Sequence, residues 1–148
     1  MTTGNGSDIV IYDIVPAAAN AKNVTDFTTG AGGDILRFDI SALALASAGA
    51  EDSGVVGGLS VNDDIFILTG AGHATDAAAE TALAADDDAA GTIVYIYFNT
   101  TDNSTHILYD PIVETDTPSA VLIGRLTNIT TQAAHDLITT ASNVDSQP

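Results

Sequence analysis

Two glycine-bent corners, each leading into a β-branched strand, constrain this chain more than any other feature. The first is Thr3-Gly4-Asn5-Gly6-Ser7-Asp8 followed by Ile9-Val10-Ile11. The second is Gly30-Ala31-Gly32-Gly33-Asp34 followed by Ile35-Leu36-Arg37-Phe38. Glycine takes the left-handed backbone angles of a tight bend at no steric cost. An aspartate at the strand entrance sets a carboxylate beside the turn. Charge is the second constraint, with 20 Asp and Glu against 3 Lys and Arg, a net charge of −17. Repulsion on that scale opposes compaction. Salt relieves it by screening beyond about 8 Å. Divalent cations held by carboxylate and carbonyl oxygens relieve it locally, and the corners favour this second route.

A chain of 148 residues suits one domain with a real core. The expected division is residues 1–45 as the turn–strand units and 46–148 as the rest of a single β-rich domain. A hydrophobic fraction of 45% argues against disorder despite the charge. The basic residues Lys22, Arg37 and Arg125 are scattered. Nucleic-acid binding, which rests on phosphate neutralisation, therefore has almost no electrostatic support and is not expected, and binding to an anionic membrane surface is disfavoured for the same reason. No apolar run approaches roughly 18 residues, so membrane insertion is not expected. Met1 leads into a polar stretch, unlike an N-terminal signal peptide. The absence of cysteine excludes disulfides and thiolate metal sites.

Six segments read as strands: Ile9–Tyr12, Ile35–Phe38, Asp64–Leu68, Thr92–Phe98, Thr105–Tyr109 and Ala120–Leu126. The polar loop Thr101-Asp102-Asn103-Ser104 predicts an antiparallel hairpin between the fourth and fifth. Thr92–Phe98 is apolar on both faces and belongs in the middle of a sheet. Three alanine-rich stretches, Ser41–Ala48, Thr75–Ala85 and Thr131–Thr140, read as short helices, the last with Ala134, Leu137 and Ile138 on one stripe. Ser53–Leu59 reads as a loop. The predicted fold class is mainly β, a sandwich or β-roll-like single domain with a few short helices.

The first corner resembles the nonapeptide G-G-x-G-x-D-x-U-x of RTX-type calcium-binding β-rolls, with Thr3 for the first glycine. Residues 24–43, from Val24-Thr25-Asp26-Phe27 through the second corner to Asp39-Ile40-Ser41-Ala42-Leu43, resemble the segment that follows the repeats in type I secreted proteins. In that family the segment closes the β-roll and leads into the C-terminal secretion module. Ala141-Ser142-Asn143-Val144 is similar in style to the family's tail. The resemblance covers about the first 45 residues well and the rest loosely. The family carries several tandem nonapeptides, whereas this chain has one clear copy. It implies calcium as the bound ion, with sites shared between successive turns.

A single turn does not complete such a site, so the second corner or a neighbouring molecule has to supply the other half. Calcium takes six to eight oxygen ligands. The candidates are Gly4 and Gly6, whose bends turn carbonyls inward, Asp8 at the strand entrance, then Asp13, Asp26, Gly32, Asp34 and Asp39. Asp8 alternatively forms an Asx turn, and Asp26 caps the bend before Phe27. Asp86-Asp87-Asp88-Ala89-Ala90-Gly91 starts like an EF-hand, but Ala90 and Tyr97 stand where ligands are required, and strand follows. His73, His106 and His135 form no ligand motif. No nucleophile motif is present. The expected function is therefore a secreted, calcium-binding, non-enzymatic structural protein, exported without an N-terminal signal peptide. It assembles with copies of itself into a filament or surface layer, whose neighbours tie down the polar ends. The alternative is the secretion or adhesion module of a larger type I secreted protein. A small-ligand binder or enzyme is a minor third.

Overall fold

The computed structural model describes residues 1–14, 21–46, 51–59, 63–85, 91–111 and 119–148. The acidic run Asp86–Asp88 lies outside the described residues, as do Ser47 and Ala48. Strands dominate, helices are few and short, and the sheets are of mixed type. In chain order the elements are β1 (Ile9–Tyr12), β2 (Lys22–Val24), β3 (Ile35–Asp39), β4 (Glu51–Gly54), β5 (Ile65–Leu68), α1 (Asp76–Ala84), β6 (Ile93–Asn99), β7 (Ser104–Asp110), β8 (Val121–Leu126), α2 (Gln132–His135), α3 (Thr140–Asn143) and β9 (Val144–Gln147).

Two sheets form. One is a parallel three-stranded sheet, β1-β3-β9. The other has the order β2-β8-β7-β6-β5-β4, antiparallel at its centre (β8-β7-β6) and parallel at both sides. The predicted hairpin is β6–β7, with Tyr97 opposite His106. The apolar run of β6 follows from its surroundings. Val94 and Ile96 join a cluster that contains Val10, Leu36 and Phe38 of the small sheet. Ile93, Tyr95 and Tyr97 join Ala79 and Leu83 of α1 in a second cluster. Both faces of the large sheet are thus covered, and a strand at its centre has no face to leave polar. Thr75 caps α1, its hydroxyl accepting from the Ala78 amide at 3.1 Å.

Three expectations change. Residues 41–46 form turns, with Ala44 at φ 54°, so the Ser41 stretch is not a helix among the described residues. Thr131–Thr140 breaks into α2 and a separate α3, and Leu137 turns out to solvent (58% exposed) while Ile138 is buried. Four residues are too few to hold one stripe. Ser53 and Gly54 belong to β4 rather than to a loop, their parallel pairing with β5 overriding weak strand propensity. The ends are held by their own chain. The Met1 nitrogen donates to Asn23 O at 2.5 Å, Thr25 N donates to Met1 O at 3.1 Å, and β9 pairs with β3.

Tyr12 stacks on Phe38 with ring centroids 5.1 Å apart. Its buried hydroxyl has no hydrogen-bond partner, and burial pushes its pKa up. The ring reaches across the core to Gly124, where any Cβ would overlap the hydroxyl. Two outcomes are expected in urea denaturation. Gly124→Ala costs about 1–3 kcal/mol through overpacking. Tyr12→Phe leaves stability unchanged or raises it, because it removes an unsatisfied polar atom.

Candidate functional site

The fold brings the two corners together. β1 and β3 run parallel with Ile9 opposite Ile35, so Asp8 and Asp34 enter the strands level with each other. Gly4 (φ 102°), Gly6 (φ 120°) and Gly32 (φ 79°) all hold left-handed angles, as the bends require. Gly33 has a different reason: a Cβ there would overlap the Thr28 carbonyl.

Asp34 is the hub, and it is fully buried. Its Oδ1 accepts from the Asp8 amide at 2.9 Å. Its Oδ2 accepts from the Thr28 amide at 2.8 Å and the Thr3 hydroxyl at 3.1 Å. Asp26 does the same for the first corner. Its Oδ1 takes the Thr3 amide at 2.6 Å and its Oδ2 the Gly4 amide at 2.9 Å. Those backbone bonds hold the Asp26 carboxyl below the usual carboxylate range. Asn128 pairs with both backbone groups of Phe27, at 2.9 and 2.8 Å. Asn143 grips the second corner from the start of β9, accepting from the Gly30 amide at 2.9 Å.

The eight predicted residues fall into two groups. Gly4, Gly6, Asp8, Asp26, Gly32 and Asp34 gather at the entrance to β1 and β3. Asp13, exposed just beyond β1, and Asp39, which ends β3, lie at the opposite end. Five residues of strand separate the ends, roughly 16 Å, so no ion touches both groups. Asp39 caps the following turn, its Oδ1 accepting from Ala42 N at 2.9 Å. At the entrance, the carboxylates of Asp26 and Asp34 already serve N–H and O–H donors. Asp8 differs: its Oδ2 is sealed from water with no hydrogen-bond partner. An orphaned carboxylate oxygen is costly, and a cation beside it would remove the cost. Asp8 thus keeps one carboxylate oxygen unengaged, whereas the occupied carboxylates of Asp26 and Asp34 do not fit the fully shared two-sided site of a β-roll. No group of three or more His, Asp and Glu side chains converges on a metal position among the described residues. Sequence reasoning missed Thr3, Thr28, Asn128 and Asn143. Only Asn143 carried a readable signal: it precedes Val144 as Asp8 precedes Ile9 and Asp34 precedes Ile35.

A second polar cluster lies across the large sheet. His106 is buried, with Nδ1 at 2.6 Å from Asp76 Oδ1 and Nε2 at 2.8 Å from Asp102 Oδ2. The Tyr97 hydroxyl donates to Asp76 Oδ1 at 2.5 Å and accepts from Asn99 Nδ2 at 2.9 Å. Arg125 Nε stands 3.8 Å from Asp102 Oδ2. Burial alone would raise the Asp76 and Asp102 carboxyls. The bonds from His106, Tyr97 and Ser104 and the charge of Arg125 outweigh it and hold both below their ordinary value. Both ring nitrogens of His106 are thus engaged by carboxylates. It ties α1 and the β6–β7 turn to the sheet. His135 is likewise satisfied, between Thr105 Oγ1 at 3.0 Å and Leu68 O at 2.9 Å, and burial lowers its pKa.

Compared with models of protein families, with curated proteins and with solved structures, the chain matches none.

Asp34→Asn sets an amide against converging donors. It is expected to cost about 1–3 kcal/mol, read from the urea midpoint, while Asp13→Asn changes stability by less than about 0.5 kcal/mol. The lowered Asp76 and Asp102 carboxyls also give a pH dependence with a definite sign. Their pKa values lie below the unfolded ones, so their contribution is present at neutral pH and is lost as pH falls through the depressed values. The urea midpoint is expected to drop as pH falls from about 5 toward about 2, and Asp76→Asn should flatten that drop.

Proposed function

We propose that this chain is a non-enzymatic, calcium-binding structural module of the β-roll type that works outside the cell, as the C-terminal secretion or adhesion module of a larger type I secreted protein. One observation carries the reading: the two corners stack level and parallel, and β1 ends that parallel ladder as an edge strand. Val10 and Tyr12 face the core, while Ile9 (44% exposed) and Ile11 (45%) face out. Among the described residues no strand pairs with the outer side of β1, where Lys22 Nζ reaches the Ile11 carbonyl, and further turn–strand units would continue the ladder there. The β-roll-like reading of the fold rests on the same three parallel strands. Calcium belongs at Asp8 in this reading, where the orphaned oxygen lies beside the Gly4–Gly6 bend.

The same edge supports a second reading, in which copies of the chain add to one another at β1. A head-to-tail contact of that kind propagates into a filament or lattice.

Thermal melting tests the calcium assignment. A ligand bound only by the folded state raises its stability by mass action. The melting temperature is expected to rise by several degrees from chelator to millimolar calcium, and Asp8→Asn should remove most of the rise. Identical melting in both buffers would falsify the calcium assignment. Light scattering separates the two readings: a monomer in calcium at high concentration rejects self-assembly. Immunodetection of a polypeptide no longer than this chain in the culture medium rejects the module.

A further inference from the structure

We infer that Asn143 closes the second glycine corner in place of a cation, so that this corner folds without metal. The inference rests on the β-roll reading for its comparison with an ion, and on the local geometry for everything else. Asn143 is fully buried. Its Nδ2 donates to Asp34 O at 2.8 Å and lies 3.4 Å from Gly30 O and 3.5 Å from Thr28 O. Its Oδ1 accepts from Gly30 N at 2.9 Å. Three carbonyl oxygens thus converge on one nitrogen at the neck of the turn. Converging carbonyls repel unless something positive stands between them, and a hard cation is one solution. The amide nitrogen occupies the place where such a cation would stand, with a full N–H···O bond to Asp34 O and longer contacts to the other two carbonyls.

The amide suits this place for a physical reason. It brings two donors and an acceptor without a net charge, and a buried neutral group costs far less than a buried ion. Its backbone is fixed as well, because α3 ends at this residue with Asn143 N donating to Thr139 O at 2.9 Å. An aspartate here would turn an oxygen toward three other oxygens, and only a cation would then hold the corner together. Asn143 is in this sense a positioning residue. The two carboxylates that open β1 and β3 leave a cation a role on the β1 side, and the asparagine that opens β9 takes it away on the other.

Amide hydrogen exchange on the full chain tests this, read at Gly30 and Asp34 in millimolar calcium and in chelator. In the wild-type chain the two amides are expected to be equally protected in both buffers. In Asn143→Asp, protection is expected to survive in calcium and to fall at least tenfold in chelator, with magnesium a poor substitute. In Asn143→Ala it should be weakened alike in both. Loss of wild-type Gly30 protection in chelator overturns the inference, because a cation then holds the corner. An Asn143→Asp chain no more responsive to calcium than Asn143→Ala overturns it too. If that variant does not fold in either buffer, the wild-type comparison decides by itself. Failure of the broader calcium reading looks different: wild-type melting ignores calcium, while Gly30 protection stays equal in the two buffers.

Discussion

The buried carboxylate of Asp34 is the joint on which the front of the molecule turns. It receives the Asp8 amide from the first corner, the Thr28 amide from its own and the Thr3 hydroxyl from the leading segment. Two of these donors lie at the two ends of the first corner and the third just before the second corner, so one side chain sets where β1 begins relative to β3. The parallel register follows, with Ile9 against Ile35 and Tyr12 against Phe38. That register fixes which side of β1 is buried, since a slip of one residue would turn Val10 and Tyr12 outward. The stacked pair Tyr12 and Phe38 then meets the large sheet at Gly124. A polar contact at one end of the small sheet thereby determines an apolar contact at the other.

The large sheet is held differently. Its central strands are covered on both faces, where a buried polar group is costly unless it is hydrogen-bonded. His106 meets that condition by spending both nitrogens on Asp76 and Asp102, and His135 meets it with Thr105 and Leu68. The same saturation makes these residues tolerable in the core. A histidine between two carboxylates looks like a catalytic arrangement in outline, but catalysis needs one nitrogen free to accept or donate a proton to a substrate.

Much of this was legible in the residues. Strands with a strong β-branched or aromatic run, such as Thr92–Phe98, were readable because packing on both faces leaves a continuous apolar stretch. The corners were readable because left-handed angles call for glycine. The strands that escaped, β2, β4 and β9, are three or four residues long, and Lys22–Val24, Glu51–Gly54 and Val144–Gln147 have no such run. Their partners hold them, and pairing between segments far apart in the chain leaves no local trace. The helices erred in the other direction. Alanine permits a helix without enforcing one, so Thr75–Ala85 formed where a cap and a sheet face were present, and residues 41–46 did not. At the candidate site, the identity of the acidic residues was readable but their partners were not. An aspartate that ligates an ion and one that accepts amide hydrogens look the same in a sequence.

That ambiguity bears on how a chain of net charge −17 folds at all. Three basic side chains cannot neutralise twenty acidic ones. Arg37 pairs with Asp145 at 2.8 Å, and Arg125 approaches Asp102. Many of the remaining carboxylates face backbone amides instead. Asp26, Asp34 and Asp39 take amides around the corners, Asp64 takes Ala46 N at 2.7 Å, and Glu80 takes Ser119 N at 2.5 Å. Each such bond sets a negative charge against the positive end of a peptide dipole and satisfies a turn that has no ladder partner. Charge repulsion is thus partly converted into turn geometry without counter-ions. Asp8 Oδ2 is different, buried with no hydrogen bond, and there a cation would do what the amides do for the others. At the far side of the same ladder Asn143 meets the carbonyls of Thr28, Gly30 and Asp34 with donors of its own, so a neutral amide does there what a charge would otherwise have to do.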